Sequence, residues 1–152
     1  MNNLQMRTWA EINLENILHN YKSIRSKMPE GTKFLGVVKA NAYGHGAVEV
    51  AKLLEANGCD YLAGALLEEA VPIRESSVKT PILILGYSPA EYAPELIKYN
   101  VTQSVGDLKF AEDLSREAVK AGGKVKVHIK LDSGMGRVGF TCHDGEDHLA
   151  EA

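Results

Sequence analysis

Five apolar runs of strand length, each separated from the next by a helix-like stretch, constrain this chain more than any other feature. They are Phe34–Lys39, Tyr61–Leu66, Pro81–Leu85, Val101–Val105 and Lys124–Leu131. Strands that alternate with helices form βα units, and βα units build a parallel sheet with right-handed crossovers. The intervening stretches carry their own signals. Asn13 is a candidate N-cap, and Leu14, Ile17, Leu18, Tyr21 and Ile24 recur on one helical stripe until Met28-Pro29-Glu30-Gly31 stops it. A helix is predicted from about Ala47 to Ala56, with Val48, Ala51 and Leu54 on one side and Gly58 as its stop. Leu67–Val71 starts a short helix, in which Pro72 is expected to sit near the start. Ser88-Pro89-Ala90-Glu91 has the spacing of a capping box. Asp107 is placed to cap a helix over Leu108–Ala121 that Gly122-Gly123 closes. Ahead of all these, Thr8–Ile12 reads as a short strand.

The fifth run differs from the others. Val125, Val127, Ile129 and Leu131 alternate with Lys124, Lys126, His128 and Lys130, so the two sets point to opposite faces. A strand covered by helices on both sides is apolar throughout. In a barrel the apolar set faces the helices, and the polar set points into the lumen toward its mouth.

Composition narrows the classes. The chain has 152 residues, a prior for one domain, and its 45% apolar and 24% charged fractions are ordinary for a globular protein. A net charge of −3, with both signs interspersed, argues against nucleic acid as a partner. No run approaches membrane-spanning length, and Met1–Arg7 lacks a signal-peptide core, which makes a cytoplasmic protein with no membrane partner the expectation. Cys59 and Cys142 read as reduced thiols. The tail from Cys142 to His148 matches no zinc template, so no metal is expected there; it reads as a solvated acidic helix start.

Two stretches carry candidate chemistry. The first run ends at Lys39 and continues Ala40-Asn41-Ala42-Tyr43-Gly44-His45-Gly46 before a helix opens. Ligands gather at the C-terminal ends of parallel strands, so Lys39 is delivered where chemistry occurs. Alone, it reads equally as a solvated lysine at a strand end, and Tyr43 equally as a packing residue or a ligand contact. His45 reads as a histidine hydrogen-bonded within its loop, with no acidic partner nearby in sequence. The second stretch is Lys130-Leu131-Asp132-Ser133-Gly134-Met135-Gly136-Arg137-Val138-Gly139. Arg137 offers a rigid fork for a carboxylate or phenolate oxygen, or it is a surface arginine.

Together the strings Val38–Gly46 and Lys130–Gly139, in this order, resemble the two strong motifs of alanine racemases, and the resemblance runs from about Arg7 to Phe140. It implies an α/β fold: the N-terminal part of a (β/α)8 TIM-type barrel, incomplete at about five βα units. A closed barrel needs ~250 residues and eight strands. Residues 1–152 are therefore expected to be a partial N-terminal barrel domain without the C-terminal β-domain, either a truncated product or a fragment.

The resemblance also implies a pyridoxal-phosphate-dependent amino-acid racemase that interconverts L- and D-alanine, supplying D-alanine for peptidoglycan. Pyridoxal 5'-phosphate would be held as an imine on Lys39, which then serves as base on one face of the substrate carbon. Tyr43 would contact the phosphate, Val37 and Leu85 would line the ring, and Arg137 would reach the cofactor hydroxyl and the substrate carboxylate. The backbone at Met135 would lie close to the substrate. Lys130 would be carbamylated, replacing a second cation beside Arg137 with a negative group that orients it. The second acid/base group in the family is a tyrosine from the partner subunit's C-terminal domain, so a homodimer is implied for the full-length family. The 152 residues alone are expected to be inactive, and to self-associate or pair with a complementing chain. The alternative is a barrel-only pyridoxal-phosphate-binding protein without racemase activity, whose lysine motif lacks the continuation Ala42–Gly46. A related decarboxylase shares only Val38-Lys39-Ala40-Asn41.

Overall fold

The computed structural model describes residues 8–143, 146–147 and 152. Helix α1 (Leu14–Arg25) starts at Asn13, whose Oδ1 accepts the backbone N–H groups of Glu15 and Asn16 at 2.8 and 3.2 Å. Strand β1 (Leu35–Val37) leads through a turn over Lys39–Tyr43 into helix α2 (Ala47–Ala56). Then follow β2 (Tyr61–Gly64), α3 (Leu67–Glu75), β3 (Ile82–Ile84), a 3₁₀ turn (Ala90–Tyr92) running into α4 (Ala93–Lys98), β4 (Val101–Val105), α5 (Leu108–Lys120) and β5 (Lys126–Ile129). The five strands form one parallel sheet in the order β1-β2-β3-β4-β5, as consecutive βα units require.

The sheet has two unlike faces. Leu62, Ile82, Ile84, Val101 and Val105 pack against Val50, Leu54, Ile73, Leu96, Phe110 and Leu114 of the helices. Each fully buried Leu or Ile contributes about 1.5–3 kcal/mol, so this layer is what holds the helices on. Gly36 belongs to the same face, since a Cβ there would meet Leu54 Cδ1 at 2.7 Å. By alternation Val37, Tyr61, Ala63, Leu83, Thr102, Ser104, Lys126 and His128 occupy the other, lumen side. This is the α/β architecture of a barrel's N-terminal portion; of the five βα units expected, four are complete among the described residues, and the fifth strand continues into further strands instead of a helix.

Several local expectations are corrected. Residues Thr8–Ile12 form no strand; among the described residues no neighbour pairs with them, and Trp9 stands exposed. Pro72 lies beyond the first turn of α3, which still runs to Glu75. The proline removes only the hydrogen bond to the Glu68 carbonyl, and Glu68 is exposed to water. The capping box at Ser88 does not form: Pro89 precedes a 3₁₀ turn, and the buried Ser88 Oγ has no hydrogen-bond partner among the described residues. After β5 the chain makes β6 (Leu131–Asp132), β7 (Phe140–His143) and β8 (Glu146–Asp147). Strand β6 pairs in parallel with β7, and β7 in antiparallel with β8. An extended hairpin thus replaces the helix start expected for the acidic tail; Asp144, Gly145 and His148 of that tail, and Met1–Arg7, lie outside the described residues.

Candidate active site

The backbone after β1 is unusual. Ala40, Asn41, Ala42 and Tyr43 all have left-handed dihedrals, with φ of 50, 54, 51 and 55°. Left-handed helix costs an L-residue roughly 1–2 kcal/mol, so four in succession persist only where their surroundings hold them. The fastenings are visible. Ala42 N–H donates to the Val38 carbonyl at 2.9 Å, and Gly44 N–H to the Ala40 carbonyl at 3.1 Å, closing helix-type turns of the opposite hand. Asn41 Oδ1 accepts the Ala47 N–H at 2.8 Å and joins the turn to the start of α2. His45 Nδ1 lies 2.9 Å from the Ala42 carbonyl, so it ties the loop. Lys39, half-buried, stands where β1 gives way to this turn, and the exposed Tyr43 ends it.

A second loop is built around Asp132. One carboxylate oxygen accepts the N–H groups of Gly134 and Gly136, both at 3.0 Å, and the other accepts that of Arg137 at 2.7 Å. These backbone donors hold the Asp132 carboxyl down at about 2, below the ordinary 3.8. The loop lies against the end of β4: a Cβ on Gly106 would meet Gly139 Cα and N at 2.9 Å. Arg137 thereby joins a cleft of about 470 Å³ with Gly86, Tyr87, Ser104, Gly106 and Asp132. Its guanidinium is exposed, as is the Met135 side chain.

Lys130 Nζ donates to the Leu85 carbonyl at 3.4 Å, which joins the end of β5 to the end of β3 on the lumen side. Lys130, Leu85 and, through Gly86, the Arg137 cleft are thus neighbours, while Lys39, Val37 and Tyr43 stand at the β1 end of the same sheet. Every candidate residue except Val37 lies beyond the C-terminal end of a strand. By their chemistry, an amine (Lys39), a phenol (Tyr43), a guanidinium (Arg137) and two apolar side chains (Val37, Leu85) suit a planar aldehyde that carries a phosphate, so the residues present fit pyridoxal phosphate. The Arg137 cleft itself is not lined by Lys39 or Tyr43.

Sequence reasoning missed two groups. Glu69 Oε1 accepts the Ala40 N–H at 2.8 Å, and Glu69 Oε2 the Ala65 N–H at 2.7 Å. Asp132 stands inside the second motif, where neither the sequence nor the resemblance assigns it a role. The signal for Glu69 was its place three residues after a helix start, where a glutamate reaches back to backbone. For Asp132 it was an aspartate just ahead of two closely spaced glycines.

Residues 12–152 match the family described as "Alanine racemase, N-terminal domain". Alanine racemase 2 of Caldanaerobacter subterraneus subsp. tengcongensis is 47% identical over 137 residues, which is 90% of this chain and 35% of that protein. The solved alanine racemase of Clostridium difficile 630 in complex with cycloserine superposes with a TM-score of 0.87 at 46% identity, over 91% of this chain and 38% of that one. The histidine racemase of Leuconostoc mesenteroides subsp. sake superposes with a TM-score of 0.79 at 29% identity, over 91% and 36%. The chain therefore spans about a third of the relatives it matches. With a five-stranded parallel sheet, both loops and the match over residues 12–152 in agreement, this chain belongs to the alanine racemase N-terminal domain family.

Proposed function

We propose that the protein is an alanine racemase that uses pyridoxal phosphate bound at Lys39. The observation that carries this reading is the placement of Lys39 at the end of β1, on a left-handed turn fastened from several sides. When bound, pyridoxal phosphate acts as an electron sink that makes the α-proton of an amino acid removable. Lys39 would hold it covalently, with Tyr43 toward its phosphate and Val37 and Leu85 against its ring, excluding water. Once the substrate's own amine has displaced Lys39 from the cofactor carbon, the freed Lys39 Nζ would take or return the proton on one face of the substrate carbon. Arg137 grips the carboxylate through its two-pronged fork, on a loop that Asp132 holds.

Lys130 is carbamylated in this reading, and its negative charge then orients Arg137. The proton on the other face requires the tyrosine that the family resemblance puts on a partner subunit. Because the chain spans 35% of a curated relative, full turnover is proposed for it acting together with the segments such relatives carry beyond this span, as a homodimer in the cytoplasm. Alanine is the proposed substrate on the strength of the alanine racemases at 44–47% identity. The test is D-alanine formation from L-alanine, with L-histidine as competitor, by the full-length protein and its Lys39→Ala variant. Turnover of alanine that disappears in the variant supports the reading. Turnover that survives in the variant, or a preference for histidine, contradicts it.

A further inference from the structure

Glu69 ties the lysine turn to a second βα unit. As the third residue of α3 it returns a hydrogen bond to the helix start, with Oε2 accepting the Leu66 N–H at 3.4 Å. A cap needs no more than this, yet the carboxylate does more. Oε2 also takes the Ala65 N–H at 2.7 Å, just beyond β2, and Oε1 takes the Ala40 N–H at 2.8 Å, 29 residues away in sequence. That N–H belongs to the peptide bond immediately after Lys39, at the first of the four left-handed residues. The opening N–H groups of a helical turn have no acceptor within it. Of the other side-chain fastenings, His45 ties the loop to itself at Ala42, and Asn41 ties it to the helix that directly follows, at Ala47. Among the described residues, Glu69 is the side chain that hydrogen-bonds both this loop and the backbone just beyond β2.

We propose that Glu69 is a positioning residue for Lys39 and Tyr43, setting the handedness and pitch of the turn that aims both. This rests on the reading that Lys39 carries the chemistry. Both carboxylate oxygens are needed as acceptors. In Glu69→Gln one becomes an NH₂ group, which would face a backbone N–H. The remaining oxygen serves Ala65 and Leu66 together, so Ala40 is the donor that loses its partner. Glu69→Asp keeps the charge but is one methylene too short to span both loops.

The experiment uses the full-length protein with Glu69→Gln, Glu69→Asp and, as control, the exposed neighbour Glu68→Gln. Amide hydrogen exchange is read at Ala40–Tyr43 without cofactor, and kcat and KM for alanine with it. Loss of a hydrogen bond to a charged acceptor predicts exchange at Ala40 at least about tenfold faster in both Glu69 variants. Misplacement of the base predicts a kcat about 10²-fold lower, with KM moving far less. Glu68→Gln should match the parent in both. Unchanged exchange at Ala40, or parental kcat accompanied only by a lower Tm, overturns the proposal. A parental protein that does not racemise alanine sinks the functional reading and the catalytic half of this one. The exchange comparison, made without cofactor, still decides the tether.

Discussion

The rings of Tyr61 on β2 and His128 on β5 stand 5.9 Å apart between centroids, tilted by 44°. Two strands lie between them. At about 4.8 Å per strand, a flat sheet would hold β2 and β5 roughly 14 Å apart, so the sheet must curl to bring these rings together. On the lumen side of the curled sheet, the strand ends at Leu85 and Lys130 meet through the Lys130 Nζ–Leu85 carbonyl bond of 3.4 Å.

The curled sheet also has an open flank. Val127, Ile129 and Leu131 are 47%, 52% and 48% exposed, and among the described residues β5 pairs on one side only, with β4. Val125, Val127 and Ile129 line an apolar groove with Leu114, Ala118 and Val119 of α5. Such an edge templates association. The 152-residue chain alone is expected to form soluble oligomers or aggregates in light scattering and to make no D-alanine. Addition of a complementing C-terminal segment is expected to restore a defined species. A stable monomer would contradict this.

Acid sensitivity follows from Asp132. Its folded-state carboxyl is held near 2 against an ordinary 3.8, so its contribution is present above 3.8 and is lost as pH falls toward 2. Asp60 shifts in the same direction, held down by the Phe34 N–H and Arg25. Urea midpoints should fall between pH 4 and pH 2, and fall less steeply in Asp132→Asn, which keeps a single acceptor oxygen. Equal slopes would show that Asp132 does not contribute to the acid sensitivity.

Gly106→Ala would drive a methyl group into the backbone of Gly139. Because Gly139 has a φ of 136° and itself abuts Asp132 N, the loop cannot simply yield inward. A cost of about 1–3 kcal/mol in stability is expected. Weaker cofactor binding should accompany it as Arg137 is lifted from β4. Parental affinity would mean that the close approach does not position Arg137.

Arg74 serves as a control remote from the site. Its guanidinium donates to the carbonyls of Tyr99, Val78, Thr80 and Asn100 at 2.9, 2.9, 2.7 and 3.2 Å. Arg74→Met should cost about 3 kcal/mol in urea unfolding, because hydrogen bonds to charged groups are among the stronger ones. It should leave kcat per folded molecule unchanged. A selective loss of kcat would connect α3 to the chemistry by another route.

The sheet order, the caps at Asn13 and Asp107 and the opposite faces of the fifth strand were legible because each depends on periodicity or on one local hydrogen bond. The left-handed run at Ala40–Tyr43 was not: alanine, asparagine and tyrosine carry no preference for four such residues in a row, and tertiary bonds from Glu69 and Ala47 impose it. The Ser88 cap failed for a related reason. Its Ser-Pro spacing fits a helix start, but a 3₁₀ turn intervenes and the hydroxyl is buried. The tail's charge pattern carried no information about the backbone pairing of Cys142 with Asp147.

Lys39 is proposed to hold the cofactor, and chemical trapping reads that attachment without relying on turnover. The protein is incubated with pyridoxal phosphate, reduced with borohydride, digested and mapped. The reduced label is expected to concentrate on the peptide containing Lys39 and to disappear from it in Lys39→Ala. Label spread evenly over the exposed lysines, with Lys39 no higher than the rest, would contradict it.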